Sequence, residues 1–473
     1  MAAAPALRVA VAGAGPSGLA LAGALLKEAP KGTVGVQVFE RYGRRRDQGS
    51  GWDMDKQAQA ALTRAGLDMS TVQRKGSDTF RMFRVGDGPR PFLCPHDPPL
   101  FRALGMHGDA DLETNRTAVI EGLLAGIGEE HCRFDVKISG VRKTDSGAVE
   151  LLGEGDQVLG EFDVVVDATG THSPFRQYRF SEASKPRYTG VTWIQGVLDS
   201  PERDLSPEVV RRLGDGTMVV LGPTADGAGT TMLTLQRFGA DPEDKRCVCI
   251  IRSTMEGANV KSDPRAVARA LDLPEGTHGL ITDPAPLARV RELFRAEMGH
   301  EAWPEDHRSV ADKFSGFRVL PIFMTPSVAE TTAVAEDGLP LLCIGDALHA
   351  LPPWSGTSGN FALRDASDTA TALLELAKGD KEIVKTIRRL EAEFLERADG
   401  VGKGGVEARR RCQLVAEQFT DVWPTVPVSK LDVSTLMTGG AGFFTTMKMQ
   451  GMMRAMTWLN SWDNYRMKSV GGA

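Results

Sequence analysis

The chain has 473 residues, 41% of them hydrophobic and 25% charged, and its formal net charge is −6. This length allows two or three domains and a sizeable buried core. A mildly acidic chain without a long basic tract is a poor candidate for binding nucleic acid.

Cysteine spacing and hydropathy exclude further classes of protein. The six cysteines form neither a zinc-binding pattern nor a regular disulfide framework, so we expect reduced thiols and no metal site. The first residues lack the basic and apolar regions of a secretory signal, and no apolar run approaches the about 18 residues of a transmembrane helix. We therefore expect a soluble, cytoplasmic protein.

The first forty residues have the order of elements found in dinucleotide-binding folds. Residues 7–12 and 34–39 are apolar and predict two buried strands, and residues 16–29 between them predict a helix. Glu40 ends the second strand, where an acidic side chain accepts hydrogen bonds from ribose hydroxyls. Such an acid also repels a 2′-phosphate, which disfavours NADP in this site.

A glycine-rich turn joins the first strand to the helix. Gly13 permits the tight turn, Gly15 lets the backbone approach a pyrophosphate, and Gly18 lets helix and strand pack closely. The helix N-terminus adds free N–H groups and partial positive charge. The turn predicts a bound dinucleotide, and by itself it fits FAD and NAD equally well.

The middle of the chain predicts a sheet. Residues 217–221, 230–235 and 247–251 have strand-like patterns, and we expect them to form one face of a substrate chamber. Residues 265–300 have apolar side chains at helical spacing instead.

A second glycine motif follows a short apolar run at residues 341–344. Gly345 and Asp346 end that predicted strand, and the aspartate is suited to accept hydrogen bonds from the hydroxyls of a nucleotide cofactor. The segment from Gly356 to Gly359 lets the backbone lie against a flat ring. A helix predicted at 361–378 directs its positive end to the same place.

The last part of the chain predicts helices at 383–398 and 407–419, followed by a methionine-rich tail. Two interpretations of the tail are open: a packed terminal helix, and a substrate lid or membrane-surface contact. The scarcity of basic residues favours packing.

The late motif, G-D-A-x-H-x-x-x-P-x-x-G at residues 345–356, together with the opening turn, resembles one family. This is the group A flavoprotein monooxygenases, the para-hydroxybenzoate hydroxylase-like superfamily of FAD-dependent aromatic hydroxylases. Segments 51–55 and 193–195 are similar to segments of the tetracycline-inactivating flavin monooxygenases within it.

The resemblance implies an α/β fold with a discontinuous, Rossmann-type FAD-binding domain at residues 1–180 and 318–380. An inserted β-sheet substrate domain is expected at 181–317, and a C-terminal helical region at 381–473.

The resemblance also implies an activity and its cofactors. FAD would be reduced by NADH or NADPH, a transient co-substrate, and O₂ would add at the flavin C4a. The resulting (hydro)peroxide would pass one oxygen atom to an aromatic or polycyclic small molecule. Two alternatives remain open: another flavin redox enzyme such as an oxidase or reductase, and a catalytically silent FAD-binding module.

The resemblance assigns residues to the cofactor and, less directly, to the substrate, while the flavin carries the chemistry and no catalytic side chain is named. The residues expected to bind FAD are Gly13, Gly15, Ser17, Gly18, Glu40, Arg41, Arg116, Asp346, Pro353, Gly356, Gly359 and Asn360. The candidates for substrate contact are Asp53, Trp193, Gln195, His349 and Trp354. Each candidate also has a structural interpretation, which for His349 is a hydrogen bond inside its own turn.

Two positions depart from the family pattern. Ser358 stands where the family usually has a second glycine after Gly356. Thr169 replaces the aspartate of the usual Gly-Ala-Asp-Gly sequence, which in the family links contact with FAD to reduction by nicotinamide.

Overall fold

The computed structural model of the chain describes most of residues 7–399. The described ranges are 7–44, 51–72, 80–86, 112–214, 216–225, 227, 230–237, 247–253, 263–277, 279–326, 338–353, 357–379 and 382–399.

Strands and helices alternate in the first part of the chain, and strands dominate its middle. The strands are β1 (Leu7–Ala12), β2 (Val34–Phe39), β3 (Gly51–Met54), β4 (Phe80–Arg84), β5 (Leu112–Asn115), β6 (Cys132–Arg133), β7 (Ile138–Lys143), β8 (Val149–Gly153), β9 (Val158–Phe162), β10 (Val164–Asp167), β11 (Arg187–Leu198), β12 (Thr217–Pro223), β13 (Thr230–Arg237), β14 (Cys247–Ser253), β15 (Gly316–Met324) and β16 (Leu341–Cys343). The α-helices are α1 (Pro16–Glu28), α2 (Lys56–Arg64), α3 (Arg116–Ile127), α4 (Arg176–Arg179), α5 (Pro201–Asp204), α6 (Pro207–Leu213), α7 (Ala266–Ala270), α8 (Pro284–Glu297), α9 (Glu305–Arg308), α10 (Asp346–His349), α11 (Ser358–Leu376) and α12 (Ile383–Asp399).

A five-stranded parallel sheet with the order β16-β10-β1-β2-β6 forms the first layer. Its central strands are mostly apolar, as expected where both faces are covered, and Arg8 of β1 and Asp167 of β10 are their charged residues. Val9 and Val11 of β1 pack into one core with helices α1, α3, α11 and α12. Ala10 and Ala12 point to the opposite face and pack with the three-stranded sheet β7-β8-β9. The alternation follows from the period of two along a strand.

A six-stranded sheet with the order β15-β11-β14-β13-β12-β4 forms the second layer. One face is apolar: Ile194 of β11 and Val220 of β12 share a core with Val290 and Phe294 of α8. The neighbours of Ile194 in the chain, Trp193 and Gln195, therefore belong to the other face. Trp193 and Gln195 are two of the expected candidates for substrate contact.

Two strands cross the boundaries that we expected between the domains. β4 pairs with β12, and β15 pairs with β11, so both belong to the second sheet. The expected boundaries had placed residues 80–84 and 318–324 in the FAD-binding part. Strand pairing is a contact between distant segments, which local patterns do not contain. We therefore assign β4 and β15 to the sheet domain. The remaining domain boundaries stay a prediction.

The expected elements are present, but several of their ends differ: β12, β13 and β14 each end two residues later than expected, and β16 ends one residue earlier. The stretch 265–300, expected to be helical, contains the two separate helices α7 and α8. The strands expected at 7–12 and 34–39 have those limits. The late helix begins at Ser358, three residues before the expected start, because polar residues open its first turn. The expected helix at 407–419 and the methionine-rich tail lie outside the described residues. Within the described ranges, no helix has both the length and the hydrophobicity that crossing a bilayer requires.

Candidate functional site

The opening glycine turn and the late motif lie side by side at one edge of the parallel sheet. β1 and β16 both flank β10, so all three strands end at this edge. The amide of Ala168 donates to Ala12 O at 2.8 Å, and the amide of Ile344 donates to Asp167 O at 2.9 Å. A Cβ on Gly345 would lie 3.7 Å from Oγ of Ser17. Two segments more than three hundred residues apart therefore form one surface.

The glycine turn leaves an open, electropositive space above the start of α1. Gly13 has φ +104°, and a Cβ there would lie 2.4 Å from Ala168 O. A Cβ on Gly18 would lie 2.1 Å from Gly13 O, whereas a Cβ on Gly15 would meet nothing within 4 Å. Gly15 is the N-cap of α1 and supplies no side-chain cap to its free amides. Uncapped amides facing open space are suited to an anionic group.

Glu40 borders the same turn. Its Oε2 accepts the amide of Ala14 at 2.9 Å, and its Oε1 accepts the amide of Tyr42 at 3.0 Å. These bonds fix the carboxylate beside the glycine turn, and each oxygen keeps a further lone pair for a hydroxyl donor. Arg41 is exposed, and its guanidinium lies over the ring of Tyr42, 4.7 Å from the centroid.

The turn that carries Asp346 is held from one side by Asp365 of α11. Asp365 Oδ2 accepts the amide of Gly345 at 3.0 Å and lies 2.6 Å from Nε2 of His349. Its Oδ1 accepts Nη1 of Arg397 at 2.9 Å. Asp365 and His349 are fully buried. This geometry supports the structural interpretation of His349 over substrate contact.

Arg176 of α4 holds the same turn from the other side. Its Nη1 donates to Ala347 O at 3.0 Å and to Leu348 O at 2.5 Å, and its Nε donates to Ser184 O at 2.9 Å. A buried guanidinium that bonds backbone carbonyls fixes both the turn and the segment after β10. The sequence motifs did not predict this role of Arg176.

Asp167 lies two residues before Thr169, the residue that replaces the aspartate of the family pattern. Its carboxylate accepts the amide of Thr169 at 2.9 Å, the hydroxyl of Thr169 at 2.5 Å and the hydroxyl of Ser173 at 2.5 Å. Complete burial raises the pKa of Asp167, and hydrogen bonds from Thr169 and Ser173 oppose that shift. Ser173 in turn accepts the amide of Arg176 at 3.1 Å. A carboxylate is thus present near Thr169, but two residues upstream and buried.

The start of α11 brings three further elements together. The hydroxyl of Ser358 donates to Oδ1 of Asp346. Oδ1 of Asn360 accepts the amide of Asp55 at 3.2 Å, and Arg364 forms an ion pair with Asp55. The end of β3 therefore lies against the first turns of α11, beside the late motif.

The other expected residues are placed as follows. Asp53 is on β3, where its backbone pairs with Glu113; its side chain is not described. Arg116 is exposed at the start of α3, next to Asn115, which pairs with Gly51 of β3. Pro353 is exposed, and Gly359 is half-buried in α11. Trp354 and Gly356 lie outside the described residues.

On the second sheet, Trp193 is half-buried and Gln195 is buried on the face opposite the apolar core. Oε1 of Gln195 accepts Nη1 of Arg318, on the neighbouring strand β15, at 3.4 Å. The ring of His172, in the loop after β10, lies 4.8 Å from the ring of Phe323 of β15. This contact joins the edge of the second sheet to a loop at the edge of the first.

Sequence reasoning missed Asp365, Arg397 and the bond from Ser358 to Asp346. The sequence did contain one indication of a buried carboxylate. Asp365 lies near Leu363 and Ala366, on the apolar side of the predicted helix, and all three residues are buried.

Comparison with known proteins gives matches to both halves of this site. A family model described as FAD-NAD(P)-binding matches residues 10–172, and one described as FAD binding domain matches residues 307–399. Monooxygenase asqM of Emericella nidulans is 25% identical over 406 residues, which cover 78% of this chain and 84% of that protein.

Solved structures share the fold at lower identity. The 2,6-dihydroxypyridine-3-hydroxylase of Arthrobacter nicotinovorans is similar with a TM-score of 0.65 and 17% identity, over 90% of this chain and 96% of that one. HpxO of Klebsiella pneumoniae, complexed with FAD and uric acid, has a TM-score of 0.62 and 15% identity, over 92% and 97%. The tetracycline destructase Tet(51) has a TM-score of 0.55 and 13% identity, over 91% and 95%.

Proposed function

We propose that this chain is a FAD-dependent monooxygenase of the para-hydroxybenzoate hydroxylase-like superfamily and that it oxygenates an aromatic or polycyclic small molecule. The reaction uses NAD(P)H and O₂, and the substrate binds against the face of the six-stranded sheet that carries Trp193 and Gln195. The observation that carries the proposal is that the glycine turn and the Asp346 turn lie side by side at one edge of the parallel sheet.

The residues of this edge fit FAD. The open space over Gly15 and the uncapped amides of α1 suit the pyrophosphate. The carboxylate of Glu40 suits the adenosine ribose, and the carboxylate of Asp346 suits hydroxyls farther along the cofactor. Because the two motifs lie at the same edge of the parallel sheet, we assign all three positions to a single extended ligand.

When bound, FAD would accept two electrons from NAD(P)H and activate O₂, so that one oxygen atom passes to the substrate and the other leaves as water. The chain's own residues bind and orient the reactants. α11, a helix of 19 residues, directs its N-terminus to the late motif, where its partial positive charge stabilises negative charge on a bound group. No protein nucleophile is required.

The residues on the face of the second sheet that carries Trp193 and Gln195 favour a flat substrate with polar ring substituents. Half-buried Trp193 offers an apolar surface, while Gln195 and Arg318 offer an amide and a guanidinium. Two structures with this fold concern ring compounds of that kind, a dihydroxypyridine and uric acid, according to their names. We infer that the substrate of this chain carries a hydroxyl or carbonyl group on its ring.

The test is a screen of ring compounds for NAD(P)H oxidation by the purified, FAD-loaded protein under ¹⁸O₂. Incorporation of one labelled oxygen atom into the product supports a monooxygenase. Stoichiometric hydrogen peroxide without label in any product would instead identify an oxidase. Asp346→Ala should lose most bound flavin while far-UV circular dichroism stays near that of the wild type.

A further inference from the structure

Ser358 stands where the resembled family has glycine, and its hydroxyl donates to Oδ1 of Asp346. We propose that Ser358 is a positioning residue that orients the Asp346 carboxylate for the cofactor. This inference rests on the proposed function, because it assumes that Asp346 contacts FAD.

The backbone of Asp346 is already fixed, so its side chain is the remaining variable. Gly345, directly before it, donates its amide to buried Asp365, and Ala347, directly after it, accepts a bond from Arg176. Only the two side-chain torsions of Asp346 are left to be set. The hydroxyl of Ser358 restrains them through Oδ1.

The second carboxylate oxygen has no partner within the described part of the chain. Among the residues that the structure describes, Oδ2 of Asp346 accepts no hydrogen bond. Asp346 itself is only half-buried. A carboxylate held by one oxygen and open at the other is prepared for a hydroxyl donor without a further loss of side-chain entropy on binding.

The contact also involves α11. Ser358 is the first residue of this helix, and Thr357 before it supplies no side-chain cap. Asp346 therefore lies at an uncapped helix N-terminus, where a negative charge is stabilised. A purely structural role is thus an alternative: the Ser358–Asp346 pair would cap α11 and have no effect on the cofactor.

A double-mutant cycle separates the two roles. Apoprotein of the wild type, Ser358→Ala, Asp346→Ala and the double variant is titrated with FAD, and the free energy of unfolding of each apoprotein is measured in urea. A hydrogen bond to a charged group is worth roughly a tenfold change in affinity or more. We expect Ser358→Ala to raise the FAD Kd about tenfold in the wild-type background and to leave it unchanged in the Asp346→Ala background, which has no acceptor for the serine hydroxyl.

Two further variants sharpen the cycle. Ser358→Thr keeps the hydroxyl and should restore most of the affinity. Ser70→Ala removes a similar serine–aspartate bond, 2.7 Å to Asp68 in an exposed turn, and should leave the FAD Kd unchanged. If Ser358→Ala does not yield folded protein, Ser358→Gly, which introduces the family's residue, replaces it in the cycle.

Several outcomes would overturn the proposed role of Ser358, and they can be distinguished from a result that rejects the proposed function. An equal effect of Ser358→Ala on the FAD Kd with and without the Asp346 carboxylate would show that Ser358 does not act through Asp346. Wild-type FAD affinity in Ser358→Ala would leave the serine a helix cap only. Wild-type FAD affinity in Asp346→Ala would reject Asp346 as a cofactor residue, whereas a wild-type chain that binds no FAD would reject the proposed function itself.

Discussion

Oδ2 of Asp365 lies 2.6 Å from Nε2 of His349, and both side chains are fully buried beneath the turn that carries Asp346. The pair shows why a histidine in a cofactor motif need not meet the substrate. His349 and the amide of Gly345 share one carboxylate oxygen, so the pair fixes the shape of the turn. Arg397 of α12 supplies the compensating positive charge.

Asp365→Asn should destabilise the protein strongly. It removes the charge that Arg397 and His349 share, and breaking a buried charge pair costs about 3–5 kcal/mol. Unfolding in guanidinium chloride, followed by circular dichroism, measures the change. Asp368→Asn is the matched control, because Asp368 is the other partner of Arg397 but is 45% exposed. That control should cost less than about 1 kcal/mol, and equal effects of the two variants would contradict the assigned role of Asp365.

Gly15→Ala should weaken FAD binding, whereas Gly18→Ala should destabilise the apoprotein. An alanine Cβ at Gly15 meets nothing within 4 Å of the chain, so the apoprotein should fold normally. The same methyl group would occupy the space assigned to the pyrophosphate, so FAD affinity should fall about tenfold or more, as expected when a backbone approach to phosphate is blocked. At Gly18 the Cβ would lie 2.1 Å from Gly13 O, and the apoprotein itself should lose stability.

FAD titration and urea unfolding of both apoproteins check this pair. Gly126→Ala serves as the control, since a Cβ there also meets nothing within 4 Å but the site is in α3. It should keep wild-type FAD affinity. Unchanged FAD binding in Gly15→Ala would place the pyrophosphate elsewhere.

Neighbouring residues of β11 should separate stability from substrate binding. Ile194 is 1% exposed in the apolar core, and Ile194→Ala should cost about 2–5 kcal/mol of unfolding free energy. Trp193 lies on the opposite face, and Trp193→Phe should change KM for the substrate with a much smaller loss of stability. Chemical unfolding and steady-state kinetics measure the two effects. Equal KM values in Trp193→Phe and the wild type would remove Trp193 from the substrate site.

His307 should make the stability depend on pH. Burial lowers the pKa of His307, and the charge of Asp306 opposes this shift. The folded chain therefore binds fewer protons at this side chain than the unfolded chain does below pH 6.5. Its contribution is complete above that pH and is lost as the pH falls toward the lower, folded-state pKa.

His307→Gln should accordingly reduce the slope of unfolding free energy against pH on the acid side of 6.5. The measurement is urea unfolding of both proteins at a series of pH values. The difference in stability between wild type and variant should shrink as the pH is lowered. A difference that stays constant would show that His307 does not change its protonation on unfolding.

Local chemistry in the sequence was sufficient for much of this fold. Alternating and continuous apolar runs located β1, β2 and α1, and the φ of Gly13 explains why glycine begins the turn. The end of β16 at a Gly-Asp pair marked the second half of the site. Each of these features depends on residues a few positions apart, which is the range over which periodicity and backbone conformation act.

Contacts between distant segments could be decided only by the tertiary structure. The sequence order does not reveal that β4 joins the second sheet, that Asp365 is paired with His349, or that Ser358 bonds Asp346. These partners meet because the parallel sheet brings the ends of β1, β10 and β16 to one edge and α11 packs across it. A side chain's hydrogen-bond partner depends on this packing, so a motif can name the residues of a site while the fold assigns their roles.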